Sequence, residues 1–245
     1  MKDASVAIRR AMRLDYQTIT DSGLVSILVT FLFPLLFPLL FPLIAFMVGT
    51  VGALALSLTL TVGYWALSAA GLFVNTSSVQ CGRLSALMPV IRSHQVVGRY
   101  LSAGVLGVVC LAEIIVQIGL LWLIDAVWLP LPWQDDPTPV LALPTGMVVG
   151  VAMAAFVAIV ALEMPFYYAF EFTKASSWFW SAVFVVAGVF GVGIILIPDE
   201  VLHSMTESLA AMPGWIWGLI GIIGCSAAVA VSYAISRHIW LNKEL

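Results

Sequence analysis

Glu113 stands at the centre of a long apolar run, Leu101–Ile124 (LSAGVLGVVCLAEIIVQIGLLWLI). Gln117 follows one helical turn later, on the same face. A carboxyl group at that depth in a bilayer carries a large desolvation cost. By default it marks a proton relay, a substrate contact or a subunit interface. The alternative is a neutral, hydrogen-bonded group that ties neighbouring helices together. Glu163 and Glu171 flank the end of a second apolar run, where pairing with Lys174 or an arginine is expected.

Other reactive side chains form no such constellation. His94, His203 and His238 fall on different predicted loops, so no shared metal site is expected. Cys81, Cys110 and Cys225 have no CxxC spacing and read as small apolar fillers. The sequence contains no GxxxxGK[ST], HExxH or GxSxG, so neither a phosphate-cradling loop nor a hydrolytic centre is expected. The chain does not read as an enzyme by itself, and no cofactor is expected on it. A net charge of −3 leaves no basic excess for nucleic acid.

The elements that must position Glu113 follow from composition. Hydrophobic residues make up 62% of the chain and charged ones 9%, too few charges for a globular surface. The fold class expected is all-α: a polytopic integral membrane protein forming a single transmembrane domain, residues 1–245. Six spans are predicted, at Leu24–Leu43, Val48–Phe73, Leu101–Ile124, Thr145–Met164, Ser177–Ile197 and Trp215–Ser236.

Charge parity supports the count. Lys2/Arg9/Arg10/Arg13, Arg83/Arg92/Arg99, Lys174 and Arg237/Lys243 are separated by gaps that each hold two helices, and the intervening loops carry no Lys or Arg. All ten basic residues then face one side, which the positive-inside rule makes cytoplasmic, together with both termini. The expected location is the cell membrane. No cleavable signal is read in the first twenty residues, which hold Arg9, Arg10, Arg13 and Asp15.

Three features complete this layout. Phe31–Pro42 reads FLFPLLFPLLFP, and Pro34, Pro38 and Pro42 should kink the first span or end it near Phe41. These prolines are either a hinge or a static kink whose freed carbonyls neighbouring helices satisfy. The outer turn after them is placed near Gly49–Gly52. Asp3–Thr20 reads as an amphipathic helix on the inner leaflet, with Arg9, Arg10 and Arg13 towards lipid headgroups. Trp128, Trp133, Trp178, Trp180, Trp215, Trp217 and Trp240 sit at predicted span ends as interfacial anchors. A short outer helix is expected within Pro198–Pro213, whereas the proline-rich Trp128–Pro144 should be extended.

The inner connection from Asn75 to Tyr100, NTSSVQCGRLSALMPVIRSHQVVGRY, is longer than two antiparallel helices need, and long ordered loops tend to be functional. Leu84, Leu87 and Met88 suit one face of a short helix stopped before Pro89. Leu87-Met88-Pro89-Val90-Ile91-Arg92, followed by Val96-Val97-Gly98-Arg99-Tyr100-Leu101, resembles the "LPVSR…IV…RYL" signature of small ABC-type-2 transporter permeases. The signature lies between spans two and three in that family, as it does here.

The resemblance implies a permease subunit of an exporter, working as a homodimer or with a paralogue. A separate ATPase subunit would bind ATP and magnesium and dock on the loop around Arg83, Leu84, Leu87, Met88, Pro89, Arg92, Arg99 and Tyr100. Arg92 and Arg99 are the candidates for charged contacts with it or with lipid headgroups. Two other classes stay open: an ion- or proton-coupled carrier using Glu113, and a non-catalytic membrane scaffold. The proline-rich span has no counterpart in the second half, which weighs against the repeat architecture of many carriers.

Overall fold

The structure is a computed structural model that describes residues 5–6, 8–9, 12–13, 24–73, 92–128, 145–196 and 213–242. Within these, only the backbone is described for residues 24–27, 39, 41–52, 124–128, 184, 186–196 and 214. Six α-helices follow in order: α1 Leu24–Leu32, α2 Phe41–Gly71, α3 Arg92–Trp128, α4 Thr145–Ala169, α5 Phe172–Leu196 and α6 Gly214–Asn242. A 3-10 segment, Pro34–Leu40, joins α1 to α2. Near the N-terminus Ser5, Val6, Ile8, Arg9, Met12 and Arg13 are helical; Ile8 and Met12 are half-buried while Arg9 and Arg13 are exposed.

Long apolar runs make these helices, because a backbone in lipid must satisfy its own polar groups. Ala53–Gly71, Arg92–Leu123, Thr145–Ala169 and Trp215–Asn242 are long and apolar enough to cross a bilayer, four among the described residues. The core lies between α2, α3 and α4. Ala53, Ser57, Thr61, Trp65 and Ala69 recur every fourth residue on the buried face of α2, opposite Leu106, Cys110, Ile114, Gln117 and Leu121 of α3.

Small side chains let the helices approach closely. At Gly107 of α3 an added Cβ would come within 2.9 Å of the Phe156 ring of α4. The outer faces are equally apolar: Leu56, Leu60, Val108, Ile115, Ile222 and Ile223 are all exposed. Such a bundle is built for a hydrocarbon solvent. The last helix, α6, packs along α4 and α3, and α5 packs on α4.

The structure revises the beginning of the bundle. The first predicted span, Leu24–Leu43, opens with a helix of only nine residues, Leu24–Leu32, too short to cross alone, and its end already belongs to α2. Pro34 removes the donor that would continue the helix, so the chain tightens into the 3-10 segment before Phe41. The expected turn near Gly49–Gly52 is absent, since both glycines lie inside α2. Pro42 explains this shift. It sits in the first turn of α2, where a missing N–H has no intrahelical partner to lose. The prolines, not the glycines, punctuate the chain.

The other helices keep their predicted centres and lengthen at their ends. α3 begins at Arg92, so nine residues of the expected inner loop are helical. α4 continues through Pro165 to Ala169, and α6 continues past Ser236 to Asn242. Residues 75–91, 129–144 and 198–212, with the inner-loop and outer-helix expectations on them, lie outside the described residues.

Candidate functional site

Two polar constellations are buried in the bundle. The first lies at mid-length of α2 and α3 and joins them to the proline-rich segment. Each interior proline leaves the carbonyl four residues before it without a helical donor. Pro34 does this to Thr30. A side chain meets that orphan, and a second reaches the carbonyl of Pro34 in the 3-10 segment. The Tyr64 hydroxyl donates to the Thr30 carbonyl at 3.0 Å, and the Gln117 side-chain amide donates to the Pro34 carbonyl at 2.8 Å. The same amide nitrogen donates to the Thr61 hydroxyl at 2.7 Å, which in turn donates to the Ser57 carbonyl at 3.0 Å. The buried amide thereby fixes three chain segments at one point. Each such bond inside a membrane is worth about 0.6 kcal/mol, up to about 1.7.

Glu113 lies one turn from Gln117 and is 7% exposed. The indole N–H of Trp65 donates to its Oε2 at 2.6 Å. Its other oxygen, Oε1, is buried without a hydrogen-bond partner. Trp65 in turn packs on Phe31 of α1, with ring centroids 5.4 Å apart, and on Tyr64 at 5.6 Å. Phe33 approaches Tyr64 at 5.5 Å. Aromatic rings thus pack around the Trp65 indole on the side of α1.

The second constellation gathers the opposite ends of five helices. The Arg99 guanidinium lies 4.3 Å from the centroid of the Phe73 ring and 5.6 Å from that of Tyr168. Phe73 stacks on Tyr167 at 5.2 Å, Tyr167 stacks on Phe172 at 5.3 Å, and Tyr168 meets Trp240 at 5.7 Å. The Tyr100 hydroxyl lies 2.6 Å from the Ser232 hydroxyl and 2.9 Å from that of Ser236. Chain ends of α2, α3, α4, α5 and α6 are bound together by cation–π, stacking and hydroxyl contacts.

The structure therefore brings Glu113, Gln117 and Pro34 together, and separately unites Arg99 with Tyr100. Pro38 is buried in the 3-10 segment, and Pro42 begins α2. Arg92 opens α3 and is half-buried. Arg83, Leu84, Leu87, Met88 and Pro89 lie outside the described residues. Glu163 is 2% exposed within α4, whereas Glu171 and Lys174 are exposed; the three do not form the expected surface pairing. Among the described residues no group of three or more His, Cys, Asp or Glu side chains is arranged to hold a metal ion.

Sequence reading missed Trp65 and Tyr64, although a signal was present. Seven other tryptophans sit at span ends, while Trp65 lies inside a span, where its N–H needs a buried acceptor. Trp240, read as an interfacial anchor, is half-buried against Tyr168. Its helix runs on beyond the predicted end and carries it into the bundle.

The family model described as "ABC-2 family transporter protein" matches residues 26–240. No curated protein and no solved structure matches the chain. The match takes in α2 to α5 whole and nearly all of α1 and α6, with both polar constellations. The chain belongs to the ABC-2 family of transporter proteins.

Proposed function

We propose that this member of the ABC-2 family is the membrane permease subunit of an ATP-driven exporter, acting in the cell membrane with a separate ATPase. The ATPase docks on the connection at residues 75–100 and binds the ATP and magnesium. Two permease subunits, identical or paralogous, enclose the path. The proposed subunit crosses the bilayer six times with both termini in the cytoplasm. The proline-broken α1 segment and α5 are added to the four helices already long and apolar enough to span.

One observation carries this reading beyond family membership. α3 is a single helix of 37 residues, Arg92–Trp128, whose first turns complete the proposed docking segment. Its later turns carry Glu113 and Gln117. Arg92 and Gln117 are 25 residues apart on it, about 37 Å at 1.5 Å per residue. A push on the docking end therefore moves the side chain that holds the Pro34 carbonyl. ATP-driven closure of the ATPase pair would reach the broken α1 segment along this rod, without any flexible joint between.

The test is co-purification. A tagged chain expressed with its neighbouring genes should retain a P-loop ATPase whose hydrolysis rate changes when the two are together. Arg92→Glu should weaken that association and uncouple hydrolysis from transport while leaving the helices folded. A purified chain that transports under a proton gradient with no ATPase present would favour a carrier instead.

A further inference from the structure

Among the described residues Glu113 has no counter-charge. Its Oε2 is held by the Trp65 N–H, a neutral donor, and its Oε1 is buried and unpartnered. An ionised carboxylate accepts about four hydrogen bonds, so most of its capacity is unused. The basic side chains of its own helix cannot reach it. Arg99 is 14 residues away, about 21 Å along the axis, and is engaged by Phe73. No basic side chain among the described residues pairs with Glu113.

The surroundings add a second kind of attraction. Trp65 turns its indole N–H edge to the acid, and the Phe31 and Tyr64 rings pack on that indole; aromatic faces of this kind attract organic cations. Phe31, Leu32 and Phe33 are exposed on the outer side of the bundle, where an apolar body dissolved in the bilayer would meet them. Among the described side chains α1 meets α2 at the Phe31 ring on Trp65 and the Tyr64 bond to Thr30.

We propose that Glu113, Trp65 and Phe31 form a membrane-facing binding site for lipophilic amines, in which the protonated amine donates to Glu113 Oε1 and its apolar body lies against the aromatic rings. The site names a substrate class for the exporter and so rests on the permease reading above. A phospholipid ethanolamine headgroup carries the same ammonium chemistry. Its depth differs, however, since Glu113 sits half-way along the apolar run rather than at an end.

The experiment uses the full chain with its ATPase in phosphatidylglycerol nanodiscs. Binding of tritiated propranolol, a secondary amine on a naphthalene body, is compared with its neutral N-acetyl derivative. Wild type should retain the amine and not the amide. Glu113→Gln should lower amine affinity at least about ten-fold, because the Gln oxygen still accepts from Trp65 while the charge is gone. Trp65→Phe should keep binding within a few-fold, since the aromatic face and the carboxylate both remain.

Amine binding unchanged in Glu113→Gln would overturn the assignment, as would equal retention of amine and amide by wild type. Loss of binding on exchange into phosphatidylethanolamine would assign the site to the headgroup and overturn the substrate reading. ATPase retention in the same preparations separates the two levels. A Glu113→Gln complex that keeps its ATPase is folded, so loss of amine binding there is specific. A wild-type chain with no ATPase would sink the permease reading whatever the amine does.

Discussion

The two buried constellations solve opposite problems. At one end of the helices, Arg99 spreads its charge over Phe73 and Tyr168, and Tyr100 is closed by Ser232 and Ser236. Five helices share that cluster, and aromatic stacking makes it resistant to small displacements. At mid-length, the network holds one proline-broken segment by two side-chain donors, Tyr64 and Gln117, and leaves Glu113 Oε1 and the Ser57 hydroxyl unpartnered. The first region is a frame. The second holds its proline-broken segment by few bonds, which is a property of a part that moves.

That contrast can be broken by substitution, and the largest effect belongs to the frame. Phe73 is 2% exposed and touches Arg99, Tyr167 and Tyr168. Phe73→Ala should cost about 3 kcal/mol in a chemical denaturation series and reduce the yield of folded chain. Arg99→Ala, which removes the cation but leaves the rings, should cost about 1–2 kcal/mol. Arg99→Lys should recover only part of that, because an ammonium cannot lie flat on the Phe73 ring.

The mid-length network should respond locally rather than globally. Gln117→Leu removes the side-chain donor to the Pro34 carbonyl and should cost about 1–2 kcal/mol. Its signature would be faster hydrogen exchange across Thr30–Leu40, with the Arg99 cluster unchanged. A uniform rise over all helices would instead make Gln117 part of the frame. The smallest effects are expected from single hydroxyls. Tyr64→Phe and Tyr100→Phe should each cost about 0.6 kcal/mol, but only Tyr64→Phe should loosen α1. Paired with Gln117→Leu in a double-mutant cycle, Tyr64→Phe should show coupling, since both donors hold the same segment.

Much of this architecture was legible in the residues. Apolar run lengths placed the centres of α3, α4, α5 and α6, and the Glu113–Gln117 spacing marked the polar seam before any contact was seen. The FLFPLLFPLLFP run announced a broken helix, but not which break would win. Proline at a first helical turn costs little whereas proline in an interior does, and the residue that starts α2 decides between them. Arg99 was visible as a charge in a family-like motif. Its stacking on Phe73 was not, because the two lie on different helices and a cation–π contact leaves no spacing pattern. Trp65 was concealed by its neighbours' rule: tryptophans at span ends obscured one within a span that needed an acceptor.

The account turns on α3 acting as a rod from the ATPase to the broken segment. Spin-label distances test that most directly, in the chain with its three cysteines replaced. One label pair is placed at Phe170 and Leu241, exposed near the C-terminal ends of α4 and α6, and another at Leu32 and Val116, exposed on α1 and α3. On trapping the bound ATPase with ATP and vanadate, the α4–α6 pair should shift by less than about 2 Å. The α1–α3 pair should change on the order of 5 Å, the scale of a one-turn displacement. An α4–α6 pair that separates while Leu32 and Val116 stay fixed would contradict the account.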